Sequence, residues 1–271
     1  MSDSSTEKIT PKILPLGDAA WTIEFGSRVD PVLHARVLGL ASAVEKKRLT
    51  TEGGKEDGGN GRSPGFGAIV DVVPTFRSLT VHFDPLRCNG GDLGEALLQL
   101  ARTSGAISAK GRNWCIPVCF DEDYAPDLGD LAQNKGMTRE AVVKLMTQTE
   151  FQVYMIGFMP GFPYMGGLPA QLQMPRLTNP RKAVPERSLA VAADMCAVYP
   201  WESPGGWRLL GRTPVPMFSM ATPDTPSLLA SGDRVHWRAI DSATYLEMEA
   251  VTKAGRLDRD SLLSSPEGEK S

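Results

Sequence analysis

Apolar and polar positions alternate over residues 20–25, where Trp21, Ile23 and Phe25 share one face, the period-two pattern of a half-buried strand. The period then changes. Leu33, Val37, Leu40, Ala41 and Val44 recur at helical spacing, behind Asp30 as N-cap and Pro31 at the first helical position. Residues 68–73 are β-branched and apolar, Leu79, Val81 and Phe83 alternate again, and 74–77 reads as a short turn between two strands. Asp92 and Glu95 form a capping box for a helix through Leu97, Leu98 and Leu100. A strand at 114–120 completes the order β-α-β-β-α-β, which predicts a ferredoxin-like sheet.

The second half has a different texture. Residues 127–135 predict a short helix stopped by Gly136, and Thr138 caps another that carries Val142, Val143, Leu145 and Met146, with Glu140 in its first turn. From 151 to 240 no long helical period remains. Short alternating runs such as 190–198 and 234–240 are separated by Pro and Gly, the pattern of an antiparallel barrel or sandwich. Residues 242–253 predict a terminal helix and 256–271 a loose polar tail. The expectation is an α+β chain with a first domain over 1–110, a β-rich domain over 111–245, and a helix end and tail over 246–271. Residues 50–63 contain five glycines and no apolar side chain, so they cannot bury surface to offset ordering, which predicts a disordered insertion near 49–64.

Composition narrows the function classes. The 41% hydrophobic and 23% charged content is that of a soluble globular chain. The net charge of −3 gives no general attraction to nucleic acid or an acidic membrane. The polar N-terminus lacks the apolar core of a signal peptide, and no apolar run approaches a membrane span, so a cytoplasmic location is expected. Cys88, Cys115, Cys119 and Cys196 form no CxxC pair and are expected to be reduced. Cys115 and Cys119, four positions apart in one strand, are separated by roughly 13 Å, too far to share a metal or a disulfide. His34, His82 and His236 are isolated in sequence, and no metal site is expected. Phosphate-loop, dinucleotide, nucleophile-elbow and zincin motifs are all absent from the sequence.

Chemistry concentrates in two loops. Ile156-Gly-Phe-Met-Pro-Gly-Phe-Pro-Tyr-Met-Gly-Gly-Leu168 packs three glycines and two prolines into ten residues, which excludes helix and central strand and leaves a rigid loop with its aromatics at fixed angles. Tyr199-Pro-Trp-Glu-Ser-Pro-Gly-Gly-Trp207, followed by Leu210-Gly-Arg-Thr-Pro214, is of the same kind. Rigid aromatic loops on a scaffold commonly surround a binding site. Phe158, Phe162, Tyr164 and Trp207 either line an apolar pocket or form part of a barrel core. Both loops are expected on one side of a barrel spanning about 112–240. Arg176, Arg181, Arg187, Arg208 and Arg212 lie in or between the loops, and arginine binds carboxylate or phosphate as a planar fork. Glu202 either orients an arginine, binds a substrate N–H, acts as a base, or caps its own loop.

The order and spacing of these two motifs resemble the KipI/PxpB family, known as the B subunit of 5-oxoprolinase, as the kinase-A inhibitor KipI and as allophanate hydrolase subunit 1. The resemblance covers about 12–247. It implies a cyclophilin-like β-barrel for the C-terminal half and a cytoplasmic subunit of an ATP-dependent 5-oxoprolinase, working with PxpA-like and PxpC-like partners. Arg176, Arg181 and Arg212 match the family's motifs, and with Glu202 from the second loop they are the expected catalytic residues. The resemblance places Phe158, Pro160, Gly161, Phe162, Tyr164, Gly166 and Gly167 of the first loop at the substrate. Ser203, Gly205, Gly206, Trp207 and Thr213 join them from the second. ATP would be a co-substrate, held by a partner or between subunits. A KipI-like docking module for a sensor histidine kinase and a role in allophanate or urea metabolism are the alternatives. The chain also departs from the family. Arg187, Ala190, Ala193 and Ala197 stand where relatives carry glycine, and Met146 stands where they commonly carry histidine.

Overall fold

The computed structural model describes residues 10–52, 64–107 and 111–264. The chain divides into two compact units, 1–109 and 110–271. In the first, β1 (Lys12–Pro15), β2 (Ala20–Glu24), β3 (Ile69–Pro74) and β4 (Ser78–Phe83) form an antiparallel sheet in the order β1-β2-β4-β3. Helices α1 (Pro31–Glu52) and α2 (Gly90–Thr103) cover it. Asp30 caps α1, accepting from Val32 N–H at 2.7 Å and Leu33 N–H at 3.3 Å. Val37, Leu40 and Val44 then meet Ile23, Leu79, Val81, Leu93 and Leu97 in one core, as their periods require.

Four expectations change here. The fourth strand of this sheet is β1, not residues 114–120. β1 is a short edge strand between prolines with only Ile13 facing the core, so its sequence carries almost no period. The cap of α2 is Asn89 rather than Asp92, with its side chain accepting from Gly91 N–H at 2.8 Å and Asp92 N–H at 3.3 Å. An Asn immediately before two helical glycines outcompetes a capping box three residues later. Helix α1 runs through Glu52, so the stretch expected to be disordered from 49 begins as helix, and its remainder, 53–63, lies outside the described residues. At the other end, 256–264 is not a loose tail. Leu262 is buried and Leu263 bridges Trp114, while 265–271 lies outside the described residues.

The second unit holds a closed seven-stranded barrel. Its strands are β5 (Asn113–Cys119), β6 (Phe151–Ile156), β7 (Pro163–Gly166), β9 (Ser188–Ala192), β10 (Met195–Val198), β12 (Arg208–Arg212) and β13 (Arg234–Ile240), around the barrel in the order β10-β7-β6-β13-β5-β12-β9. Helices α3 (Leu128–Asn134) and α4 (Arg139–Gln148) pack into the barrel's core cluster through Leu128, Leu131, Val142 and Met146, and α5 (Ser242–Lys253) follows β13. The expected run at 190–198 is a hairpin, turned at Ala193 and Asp194. Period-two alternation sends Trp114, Ile116, Val118, Val153, Met165, Leu189, Val191, Cys196, Val198, Leu210, Val235 and Trp237 inward.

One sector of the barrel is covered on its outside as well. Strands β8 (Arg181–Val184) and β11 (Ser203–Gly205) pair as a separate two-stranded flap. Under it, Ala190, Ala192, Ala197 and Leu209 pack with Phe162, Val184, Tyr199 and Trp207 in a second cluster. All five residues of β9 are therefore buried, because both of its faces are covered.

Candidate functional site

The first motif supplies the β6–β7 connection, 157–162, and then β7 itself, so the expectation that its glycines and prolines exclude a central strand fails: 163–166 pairs with β6 on one side and β10 on the other. Phe162 N–H donates to Met159 O at 3.1 Å and Gly157 N–H donates to Phe162 O at 3.1 Å, closing the loop on itself. Gly161 has φ 78°, and a β-carbon there would sit 2.7 Å from Phe218 Cβ, so both its handedness and its packing require glycine. Phe158 also takes a left-handed conformation, φ 68°, and holds its ring 70% exposed at the loop tip beside exposed Pro160. Phe162 turns the other way and is buried. Its ring centre lies 4.9 Å from Tyr164, 5.1 Å from Tyr199, 5.6 Å from Phe158 and 6.1 Å from Trp207. Phe162 and Trp207, one from each motif, thus meet on one side of the barrel. Their edge-to-face contact is favourable by roughly 0.5–1.5 kcal/mol beyond the area they bury.

The second motif supplies the flap. Ser203 pairs with Val184 and Gly205 with Arg181. Gly205 lies against the Tyr199 ring and hydroxyl, with no room for a β-carbon. Gly206 O accepts from Leu177 N–H at 2.7 Å, tying the motif to the arginine-bearing segment. In the first motif Gly166 is buried against Tyr154, and Gly167 is exposed with φ 98°. Thr213 is fully buried, its hydroxyl accepting from Val215 N–H at 3.1 Å, which makes it part of the framework. Glu202 is exposed and unpaired among the described residues.

The arginines do not converge. Arg176 is exposed, its guanidinium 5.7 Å from the centre of the Trp207 ring, and it has no carboxylate partner among the described residues. Burial raises the Tyr164 hydroxyl and the Arg176 charge pulls it back. Burial likewise raises Tyr199, which the Trp207 backbone and then Arg176 and Arg181 lower. Arg181 is engaged: it donates to Asp127 Oδ1 at 2.5 Å, while Asp127 Oδ2 accepts from Leu209 N–H at 2.6 Å. The sequence marks Asp127 only as a helix start, and nothing local identifies it as the acid that neutralises Arg181. Arg212 sits at the opposite end of β12 from Trp207, roughly 13 Å or more along the strand. Its Nε donates to Glu186 O at 2.9 Å, and its charge acts on Tyr124 and Tyr245. Among the described residues, no group of three His, Cys, Asp or Glu is placed to hold a metal ion.

Residues 11–229 match the family described as carboxyltransferase domain, subdomain C and D. The chain belongs to that family. It is 31% identical over 248 residues to the B subunit of 5-oxoprolinase from Bacillus subtilis (strain 168), covering 86% of this chain and 95% of that protein. It is 36% identical over 169 residues to the B subunit of 5-oxoprolinase from Escherichia coli O157:H7, covering 62% of this chain and 77% of that protein. The crystal structure of TTHA0988 superposes with a TM-score of 0.66 at 31% identity, covering 82% of this chain but only 40% of that one. Both enzyme relatives are named as one subunit among several, which implies companion subunits.

The positions at which the sequence departs from the resemblance have a visible geometry. Arg187 and Ala193, expected as glycines, are left-handed at φ 65° and 51°. At both positions the backbone takes the shape that glycine favours. Ala190 and Ala197 are fully buried within the aromatic cluster, where their methyls pack with Phe162, Tyr199 and Trp207. Met146 is fully buried in the barrel core and offers no proton-transfer group.

Proposed function

We propose that this chain is the B subunit of an ATP-dependent 5-oxoprolinase, opening 5-oxo-L-proline to L-glutamate together with PxpA-like and PxpC-like subunits. The observation that carries the reading is the match to the Bacillus subtilis protein over 95% of its length. The packing of both motif loops around Phe162 supports it. 5-Oxoproline carries a carboxylate on a small ring with a lactam. Arg176 suits that carboxylate, or a developing phosphate, because it is exposed, has no carboxylate partner among the described residues and lies over Trp207. Half-buried Tyr164 gives the ring an apolar surface, with buried Trp207 packed behind it. Arg181 and Arg212 act behind this face: Arg181 pins the flap to Asp127, and Arg212 braces the β12 end. ATP supplies a phosphoryl group to activate the amide oxygen. The sequence has no glycine-rich phosphate loop, so ATP is placed on a partner or between subunits.

The experiment is co-purification with the A and C subunits, followed by glutamate release from 5-oxoproline and ATP. Arg176→Lys is expected to lower turnover roughly 100- to 1,000-fold, since a point charge replaces a planar fork, with the melting temperature unchanged. Arg181→Lys is expected to lower the melting temperature instead. An assembled complex that releases no glutamate would sink the reading, and near-normal turnover in Arg176→Lys would remove Arg176 from it.

A second reading rests on Phe158. A 70%-exposed aromatic held in a left-handed backbone suits a protein partner, as in a KipI-like docking module. Binding to a histidine kinase that Phe158→Ala abolishes, with no oxoprolinase activity in the assembled complex, would favour it.

A further inference from the structure

Arg176 and Trp207 stack although they come from separate stretches of chain, and the contacts at their bases fix where the guanidinium lies. The backbone on either side of Arg176 is tied down. Met174 O accepts from Ala193 N–H at 2.7 Å, and Leu177 N–H donates to Gly206 O at 2.7 Å. Between them, Pro175 O accepts from Arg208 Nε at 3.4 Å. Pro175 precedes Arg176 and Arg208 follows Trp207, so this hydrogen bond joins the bases of the two stacked side chains.

Arg208 is itself held from α3. Its Nη1 donates to Asp130 Oδ2. Three positions earlier, Asp127 holds Arg181 in the same way. Both arginines are thus committed to carboxylates at the start of α3, and Arg176 is left with none among the described residues. The Asp130 side chain is 53% exposed. An exposed ion pair contributes little to stability. What this one supplies is direction: it aims Arg208 at Pro175.

We propose that Arg208, oriented by Asp130, is a positioning residue: through Pro175 it keeps the Arg176 guanidinium over Trp207, where a substrate carboxylate meets its planar fork. The substrate rests on the oxoprolinase reading; the positioning does not.

The test has one arm in the assembled complex and one on the full chain alone. In the complex, Arg208→Ala is expected to lower kcat/KM for 5-oxoproline about 10-fold, as misplacing a binding group does. In an Arg176→Ala background the same change is expected to cost less than about 2-fold, because the group it positions is gone. Asp130→Asn is expected to lower kcat/KM as well, whereas a purely electrostatic role would raise it by removing a negative charge near the substrate carboxylate. On the chain alone, the side-chain proton resonances of Arg176, displaced by the Trp207 ring current, are expected to move toward free-arginine values in both variants. Equal losses in the two backgrounds, a higher kcat/KM in Asp130→Asn, or Arg176 resonances unmoved in both variants would overturn the proposal. A wild-type complex that releases no glutamate would sink the oxoprolinase reading, and the Arg176 resonances alone would then decide the positioning. If Arg208→Ala fails to fold, Asp130→Asn carries both arms, with and without Arg176.

Discussion

Arg187 has φ 65°, a left-handed conformation that costs an L-residue roughly 1–2 kcal/mol, yet its side chain is buried and used. It pairs with Glu249 at 2.7 Å and Glu186 at 2.9 Å and donates to Pro214 O at 3.2 Å, tying the β8–β9 turn to α5. Arg187→Ala keeps the strain and strips Glu249 of a buried partner, and is expected to cost about 3 kcal/mol in urea unfolding. Arg187→Gly loses the same pair but relieves the backbone, so it is expected to be about 1 kcal/mol less damaging. Equal losses in the two variants would show that no strain is stored. A pH dependence follows. Lys253, then Arg187, hold the Glu249 carboxyl below its ordinary 4.5. A depressed folded value gives stability that is present above 4.5 and lost as pH falls through the folded value. The difference between wild type and Arg187→Ala is therefore expected to shrink on acidification below 4.5. A gap that stays constant would remove the Glu249 contribution.

At the scale of elements, the flap and the parallel strand pair are each held by one feature. Gly205→Ala drives a methyl into Tyr199 and is expected to destabilise by roughly 1–3 kcal/mol, as overpacking does, with faster hydrogen exchange in β8 and β11. Unchanged exchange there would mean that the flap does not depend on this contact. The β5–β13 pairing is fixed at its start by Asp233, which is buried and accepts from Arg112 Nη2 at 2.9 Å, Trp114 Nε1 at 2.9 Å and Ala230 N–H at 3.0 Å. Asp233→Ala orphans the buried indole N–H and frees the Arg112 side chain. A loss of about 3 kcal/mol is expected, measured by thermal melting, and a neutral effect would place the pairing energy elsewhere.

Across the whole molecule, each unit builds its core from its own residues: 13–101 in the first, and 114–262, with the aromatic cluster, in the second. Separate cores predict separate folding. A fragment of 110–271 is expected to melt cooperatively and retain near-ultraviolet dichroism, and a fragment that stays unfolded would show that the barrel needs the N-terminal sheet. No described helix is long and apolar enough to cross a membrane. With no phosphate loop in its sequence, the chain alone is expected to show no substantial ATP-dependent oxoprolinase turnover. Full turnover without partners would contradict the assignment to a multi-subunit enzyme.

Periodicity located β2 to β5, the β9–β10 run, β13 and the five described helices, because alternation and helical spacing record which side of each segment meets the core, a local property; β1, β6, β7, β8, β11 and β12 carried no run that was read as a strand. The turn in the first motif was legible for the same reason, since Gly161 permits its left-handed backbone and Pro160 breaks the run, although β7 begins at Pro163 inside the same motif. Membership of a sheet was not legible. Strand β5 reads as a strand in either unit, and its parallel partner lies 121 residues away. The arginines show the same limit. Their sequence places Arg176, Arg181 and Arg212 within reach of one motif, but Asp127 neutralises Arg181 from 54 residues upstream, and the length of β12 carries Arg212 away from Trp207. Whether a charge is free for a ligand depends on which distant group the folded chain sets beside it, and no short-range pattern encodes that.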